Sequence, residues 1–380
     1  MEVYLVGGAV RDQLLGLPAG ERDWVVVGST PEAMTAAGYQ PVGRDFPVFL
    51  HPETHEEHAL ARLERKTGPG YRGFVTESSP EVTLQQDLQR RDLTINAMAR
   101  NAEGALIDPF GGQQDLACRL LRHVSAAFVE DPVRILRAAR FAARFAFHVA
   151  PDTLQLMRRM VADGEVNALV PERVWREFAR ALDAPHPQRF FDTLIDCDAL
   201  AVVLPELHAL LHDEPRGARA RAALQAAVAA GASAPVRFAA LCASLSSDAL
   251  ASLGARLRVP NEYQELAVLA ARMERWLLSD APKIATLDAD WLLALLEQAD
   301  ALRRPDRYQL WLQVLLSRAV ADDMPAADAA VLVRTLDQAL QHAAAVHPSA
   351  DDVARFKGAK MAERLRELRR AALRATLGSQ

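Results

Sequence analysis

The chain has 380 residues, half of them apolar, 24% charged and 6% aromatic, with a formal net charge of −5. That length predicts two or more packed units, and the mixture excludes wholesale disorder, a collagen-like fibre and a coiled coil. The negative sum argues weakly against a nucleic-acid partner.

No apolar run of 18 residues occurs, so no membrane span is expected, and MEVYLVGG carries no secretory h-region. Cys118, Cys197 and Cys242 are far apart and form neither a metal spacing nor a disulfide framework. A reducing, cytoplasmic setting is expected.

Before about residue 130 the short apolar runs VYLVGG, DWVVVG, FPVFLHP, HALAR and ALIDPFGG, bounded by turn residues, read as strands. Ala9–Leu15, stopped by Gly16, and Pro31–Ala37, stopped by Gly38, read as helices between them. Gly7-Gly8 join the first strand to the first helix. Glycines there let backbone approach a ligand, the helix N-terminus suits phosphate, and Arg11 adds a cation; a plain tight turn would look the same.

Next, Glu21 and Asp23 stand two apart before a valine run, so a strand would project both carboxylates from one face. Such a pair can hold Mg²⁺ against substrate phosphates, with Glu57 as the third acid and Glu64 as the spare. Farther on, Arg90-Arg91-Asp92-Leu93-Thr94-Ile95-Asn96 reads as a helix joined to a turn, its arginines suited either to a triphosphate or to local carbonyls.

From Glu130 onward helical periodicity is nearly continuous, broken at prolines 171, 185, 205, 260 and 348. Glu130-Asp131-Pro132 opens a helix whose Ile135, Leu136, Ala139, Ala142 and Ala143 share one side. Arg134, Arg137, Arg140 and Arg144 share the other, where an anion or simply solvent must face them. Arg216–Ala249 reads as plain helix. Arg355–Arg374 holds eight basic and two acidic residues, as a soluble terminal helix or an RNA-touching one would.

The segments GGAVRD, RDWVVVG, GRDFPVFLHP, RRDLTINA, DPFGG, EDPVRILRAARFAARF and PERVWRE, in this order over residues 1–180, resemble the bacterial class II tRNA nucleotidyltransferases, the CCA-adding enzymes. The resemblance implies an α+β chain, with a polymerase-β-like head of mixed sheet and helices at 1–128. A helical neck at 129–180 and an all-α, tRNA-binding body and tail at 181–380 would follow. It implies template-independent transfer of CMP, CMP and AMP from CTP and ATP onto the 3′ end of tRNA with Mg²⁺. The oligomeric state is left open by the sequence, with a monomer favoured.

By the same resemblance Glu21 and Asp23 match the metal-binding acids and Glu57 the third catalytic acid. Gly8, Arg11, Arg91, Arg137 and Arg140 match nucleotide-binding positions. Glu130, Asp131 and Arg134 match the amino-acid template, where Asp131 and Arg134 would read the incoming base. Arg65–Pro80 is expected to be the mobile loop that lets that template shift between C and A.

Two departures stand out. Glu21 replaces the Asp usual at the first metal position. At the place where many relatives carry a His-Asp phosphohydrolase pair, this chain reads Leu241-Cys242-Ala243-Ser244-Leu245-Ser246-Ser247-Asp248, with no histidine between His212 and His342. No metal-dependent phosphatase is therefore expected. The alternatives are a bacterial poly(A) polymerase sharing the head, or a catalytically impaired RNA-binding relative.

Overall fold

A computed structural model describes residues 1–18, 20–42, 48–66, 74–280 and 287–377. Among them the chain divides into two compact units, 1–203 and 204–380.

The first unit is built on a seven-stranded sheet whose members, in chain order, are β1 (Glu2–Val6), β2 (Asp23–Val27), β3 (Gln40–Val42), β4 (Val48–Leu50), β5 (Glu57–Leu60), β8 (Ala99–Arg100) and β9 (Leu106–Ile107). A separate antiparallel hairpin, β6 (Arg62–Lys66) with β7 (Phe74–Ser78), stands between β5 and β8 in sequence. Spatial order in the sheet is β3-β4-β5-β2-β1-β8-β9, with β2 and β5 parallel and the other neighbours antiparallel. Alternation along β2 explains two apolar layers, since successive side chains point to opposite faces. Val25 joins Val6, Leu88 and Ala97 on one face, while Val26 joins Met34, Phe49 and Leu60 on the other.

Helix α1 (Gly8–Leu14) follows β1 at once, and α2 (Pro31–Ala36) is opened by Thr30, whose hydroxyl accepts from the Ala33 amide at 3.2 Å. Helix α3 (Leu84–Gln89) carries a capping box between Thr83 and Gln86. The stretch Thr94–Asn96, read from sequence as part of a helix and turn, is one buried 3-10 turn. In the DPFGG segment, Asp108 accepts from the amides of Gly112 and Gln113 at 2.7 and 2.9 Å and opens α4 (Gly112–Ala117).

Five helices complete this unit: α5 (Val133–Phe145), α6 (Pro151–Ala162), α7 (Pro171–Leu182), α8 (Gln188–Asp196) and α9 (Leu200–Val203). Helix α5 packs against both α7 and α8. Proline opens α6 and α7, where its missing N–H costs nothing. The arginine-bearing side of α5 is not a solvated face, because Arg134 and Arg140 are buried along with Ile135, Leu136 and Ala139.

The second unit is helical throughout its described residues, from α10 (Pro205–Leu211), α11 (Arg216–Ala229), α12 (Ala234–Cys242) and α13 (Ser247–Leu257) through α14 (Asn261–Asp280), α15 (Ala289–Gln298), α16 (Pro305–Ala321), α17 (Ala326–Ala344), α18 (Ala350–Arg355) and α19 (Ala359–Leu377). Its core centres on α11, α12, α14 and α16, with Phe238, Tyr308 and Trp311 fully buried. The basic run lies mainly on α19. Arg366 pairs there with Glu297 at 2.7 Å, Arg364 with Asp352 at 2.8 Å, and Arg370 with Asp290. Much of its charge is thus matched within the unit.

Candidate active site

Sheet register brings three chain segments to one edge. Asp23 opens β2, opposite Val6 at the end of antiparallel β1 and Glu57 at the start of parallel β5. Asp23 and Glu57 are therefore neighbours on one sheet face, about 4.8 Å apart along the hydrogen-bonding direction. Glu21 is placed differently from the expectation. It lies before β2, not on it, because β1 ends at Val6 and leaves nothing for residues 21 and 22 to pair with. The strand alternation thus does not position it.

Beyond Val6 the chain turns through Gly7 at φ 69° into α1. A Cβ at Gly7 would come within 2.8 Å of Arg91 Nη1, so glycine serves here for conformation and for space. Arg11, one turn into α1, is buried. Its guanidinium donates to Asp12 Oδ1 at 2.8 Å and to Asn96 Oδ1, and lies 5.0 Å from the ring centres of both Phe141 and Phe145. Burial lowers its pKa, with Asp12 opposing the shift.

Helix α5 runs past this turn. Each of its arginines finds a group from elsewhere in the unit. Arg137 Nε donates to Asp92 Oδ2 at 2.6 Å, Arg140 Nε to Glu177 Oε2 at 2.5 Å, and Arg144 Nη2 to Asp12 Oδ2 at 2.9 Å. Arg134 donates to the carbonyls of Ala127 and Arg90 at 2.7 and 2.8 Å. The anion required opposite this arginine side is supplied in part by the protein itself.

Asp92 sits at the hub. Besides Arg137 it accepts from Asn96 Nδ2 at 2.9 Å and from the Leu93 amide at 2.8 Å. Burial alone would raise its carboxyl, but Arg137, Asn96 and Arg134 outweigh it and hold the group well below the carboxylate range. Asp87, fully buried, is likewise lowered despite desolvation, by Arg90 at 3.0 Å and Arg91 at 3.3 Å. Asp23 shows the reverse. Loss of solvent raises its carboxyl, Glu57 and Glu21 add to the rise, and Arg91 opposes it.

One cavity of about 590 Å³ gathers these groups. Gly8, Arg11, Glu21, Asp23, Arg91, Asp131, Arg134, Arg137 and Arg140 all line it; Glu57 and Glu130 are not among its lining residues. Ten arginines face five carboxylates there, a strongly cationic recess suited to a polyanion. Asp131 is engaged as well, accepting from Arg173 Nη1 at 3.1 Å and Nη2 at 2.7 Å.

Sequence reasoning singled out none of Asp12, Asp92, Arg173, Arg176, Arg180 and Glu177 as site residues. The first five line the cavity, and Glu177 anchors Arg140. All lie inside GGAVRD, RRDLTINA or the helix opened by PERVWRE, which was the only signal available. Of the expected loop Arg65–Pro80, residues 67–73 lie outside the described residues, as does the side chain of Glu64.

The sequence profile of the Poly A polymerase head domain matches residues 3–122, and that of the "Probable RNA and SrmB- binding site of polymerase A" matches residues 146–211. The "Multifunctional CCA protein" of Thioalkalivibrio sulfidiphilus is 54% identical over 343 residues, covering 82% of this chain and 83% of the relative. The "CCA-adding enzyme" of Coxiella burnetii is 55% identical over 309 residues, covering 81% and 79%. The chain belongs to the CCA-adding enzyme family.

Among solved structures, the Bacillus stearothermophilus CCA-adding enzyme in complex with CTP superposes with a TM-score of 0.68 at 26% identity, covering 98% of this chain and 89% of that one. The Thermotoga maritima CCA-adding enzyme complexed with tRNA, at 21% identity and a TM-score of 0.65, shares the fold. As a CCA-adding enzyme the chain is a nucleotidyltransferase, with the polymerase-type head and helical remainder expected for the family. The head profile alone does not separate CCA addition from poly(A) synthesis; the relatives matched along most of their length do. No helix among the described residues is long and apolar enough to cross a membrane.

Proposed function

We propose that the enzyme builds and repairs the 3′-terminal CCA of tRNA, transferring CMP, CMP and AMP from CTP and ATP without a nucleic-acid template. One observation carries the assignment of roles: a single cationic cavity is lined at once by Glu21 and Asp23 and by Asp131 and Arg134. The carboxylates mark where nucleotidyl transfer would occur, and Asp131 with Arg134 mark where the base would be read. Residues 1–128 would act as catalytic head, 129–180 as templating neck, and 181–380 as tRNA-binding body and tail, in a cytoplasmic monomer.

Glu21 and Asp23 offer hard carboxylate oxygens, the donor type Mg²⁺ prefers. Among the described residues no three of His, Cys, Asp and Glu converge as a metal cage, which suits an ion held by one or two carboxylates and completed by phosphate and water. Bound there, Mg²⁺ would supply charge neutralisation at the phosphates and acidify the attacking 3′-hydroxyl. Glu57, beside Asp23 in register, adds negative charge that favours such an ion.

The arginines divide the remaining work. Gly8 at the start of α1, Arg11 and Arg91 lie nearest the strand edge and would hold the triphosphate. Arg137 and Arg140, fixed by Asp92 and Glu177, would present their free N–H groups in a set direction. Preset donors of this kind stabilise developing charge without reorganising during the reaction. Asp131 contributes acceptors and Arg134 donors, which together suit the mixed edge of C or A, and Glu130 precedes them in the template motif. Since Arg134 already serves two carbonyls and Asp131 serves Arg173, reading a base requires these contacts to be shared or exchanged.

The test uses tRNA lacking its CCA end, Mg²⁺ and labelled CTP or ATP, with products sized at nucleotide resolution. Three added residues support the proposal. A ladder of A residues would indicate poly(A) synthesis, and bound but unextended tRNA a non-catalytic RNA-binding protein.

A further inference from the structure

Helix α7 brings three arginines to the cationic cavity. Arg173, Arg176 and Arg180 are spaced three and four residues apart, so one side of the helix presents them all, and all three line the cavity. Their engagements differ. Arg173 grips both oxygens of Asp131. Arg176 comes no nearer than 3.8 Å to Glu177, which is already held by Arg140 at 2.5 Å. Arg180 makes no ion pair and no side-chain hydrogen bond among the described residues. Both Arg176 and Arg180 are exposed, so their guanidinium groups are open to a ligand.

No carboxylate lining the cavity is left to match them. Asp12 is shared by Arg11 and Arg144, Asp92 holds Arg137, and Asp131 holds Arg173. Glu21 and Asp23 are the acids proposed for the metal. Arg180 stands in the last turn of α7, where a cation suits the helix dipole, but that role leaves Arg176 unexplained. A lone exposed arginine is ordinary surface. Two on adjoining turns, lining a recess where two polyanions react, form a phosphate-binding fork.

The two polyanions are the nucleotide and the RNA strand whose 3′-hydroxyl attacks it. Groups for the nucleotide come from α1, Arg91 and α5. Arg137 and Arg144 tie α5 to Asp92 and Asp12, whereas Arg140 ties it to α7. Helix α7 is therefore a wall distinct from the strand edge and from α1. Along it, Arg176 and Arg180 lie past Arg173 by about 4.5 and 10.5 Å of helix rise, and so beyond the pair proposed to read the base. Exposed donors strung along a helix in this way suit a sugar–phosphate backbone, which they position without reading its sequence.

We propose that Arg176 and Arg180 hold the backbone phosphates next to the 3′ end of the RNA strand and so set where its hydroxyl meets the nucleotide. This assignment rests on the reading of the cavity as the site of nucleotidyl transfer.

The experiment compares the full-length protein with Arg176→Gln, Arg180→Gln and the double variant. Each is titrated with tRNA ending in CC, at several salt concentrations, and with the same tRNA trimmed back to its last base pair. Single-turnover addition of A to the first tRNA gives the apparent KM for ATP. Thermal melts confirm that the variants fold.

The double variant should bind tRNA ending in CC about tenfold more weakly, with a salt dependence shallower by about 1.4, the value for two single-strand phosphate contacts. It should bind the trimmed tRNA as the original protein does. The KM for ATP should stay within about twofold, and lysine at both positions should recover part of the affinity. A raised KM for ATP with unchanged tRNA affinity would assign both arginines to the nucleotide and overturn the proposal. An equal loss with the trimmed tRNA would also overturn it, by placing the contact elsewhere on the RNA, as would affinities and salt slopes that do not move. Binding is measured without turnover. An original protein that binds tRNA but never extends it would therefore sink the proposed function, while the binding comparison still decides the role of the two arginines.

Discussion

Asp131 and Arg173 face each other through two parallel hydrogen bonds, 3.1 Å from Nη1 to Oδ1 and 2.7 Å from Nη2 to Oδ2, although 42 residues separate them in sequence. The fork fixes both oxygens of the residue proposed to read the base. Arg173→Met should therefore slow addition of C and A alike by about 10- to 100-fold, the equivalent of one charge-assisted contact at 1.5–3 kcal/mol. Arg173→Lys, which keeps the charge but not the fork, should recover part of it. Single-turnover rates for both nucleotides, beside tRNA binding that stays within about twofold, provide the check. A fall in tRNA affinity that accounts for the whole loss would remove Arg173 from the template.

Template reading itself separates the two proposed readers. Asp131→Asn keeps the size of the side chain but turns one acceptor into a donor, so base choice should suffer more than tRNA binding. Arg134→Ala adds a structural loss, because it strips donors from the carbonyls of Ala127 and Arg90. It should lower stability by about 2 kcal/mol as well as selectivity. Misincorporation assays with all four nucleotides, paired with denaturant melts, distinguish these patterns. Equal losses of selectivity and tRNA affinity in Asp131→Asn would argue against the template role.

Arg137 and Asp92 form the next couple, 2.6 Å apart with Asp92 buried. Removing only the cation strands a buried carboxylate. Arg137→Met should thus cost about 3 kcal/mol in urea melts, and pairing it with Asp92→Asn should restore much of that. The sign of the pH dependence follows. The folded-state pKa of Asp92 is depressed, so its contribution is present above the unfolded value near 3.9 and is lost as pH falls below it. In the double variant that part of the acid limb should flatten. Apparent KM for CTP should rise, or turnover fall, in Arg137→Met if the side chain also meets the nucleotide.

These couples show where sequence reading stops. The local elements were legible, because strands β1 and β2 declare themselves by apolar runs ending in glycine, and α5 by Pro132 and a repeating apolar side. The meeting of Asp23 with Glu57 was expected, and parallel pairing of β2 with β5 realises it. What one sequence could not supply was the identity of the anions opposite α5. Asp12, Asp92 and Glu177 lie 132, 45 and 37 residues from their arginines, so only tertiary folding pairs them. Glu21 was misplaced for a related reason, since a strand ends where its partner turns away, and β1 ends at Val6, two residues short of the Gly8 position that would face Glu21.

Gly7 offers a backbone test. Alanine would be strained at φ 69° and would bring its Cβ to 2.8 Å from Arg91 Nη1, so Arg91 must move. Gly7→Ala should destabilise the protein by about 1–3 kcal/mol and raise the apparent KM for nucleotide more than that for tRNA. Gly16→Ala shares the positive φ but meets nothing within 4 Å, and it separates strain from displacement. Equal kinetic effects from both would mean that the approach to Arg91 has no functional weight.

A histidine cluster on the other side of the sheet predicts acid sensitivity. His58 is buried on β5, stacked on Trp24 with ring centres 5.6 Å apart, and its Nδ1 lies 3.0 Å from the Glu56 carbonyl. Desolvation lowers its pKa, with His51 adding to the effect and Glu56 opposing it. The unfolded chain therefore takes up a proton near pH 6.5 while the folded chain does so only at lower pH. Stability should decline as pH falls below about 6.5, with the slope ending where folded His58 itself protonates. His58→Phe keeps a ring for Trp24 but cannot titrate, and should reduce this slope between pH 7 and 5. An unchanged slope would transfer the effect to another group, His123 being the next whose burial lowers it.

Glu21 poses the sharpest chemical question, because it lies outside the strand that fixes Asp23 and reaches the same cavity from a loop. Its extra methylene shifts the carboxylate by on the order of 1.5 Å, a displacement that loop placement can absorb where a strand position could not. Glu21→Asp should consequently retain activity within about tenfold, whereas Glu21→Gln and Asp23→Asn, which lose at unchanged size the carboxylate charge proposed to hold the metal, should each lose more than about a thousandfold. Mg²⁺ titrations of turnover add an independent readout, in which Glu21→Asp should shift the half-saturating Mg²⁺ modestly and Glu21→Gln strongly. If Glu21→Gln behaves like the unaltered protein in both measurements, Asp23 and Glu57 carry the metal alone, consistent with their direct pairing across β2 and β5.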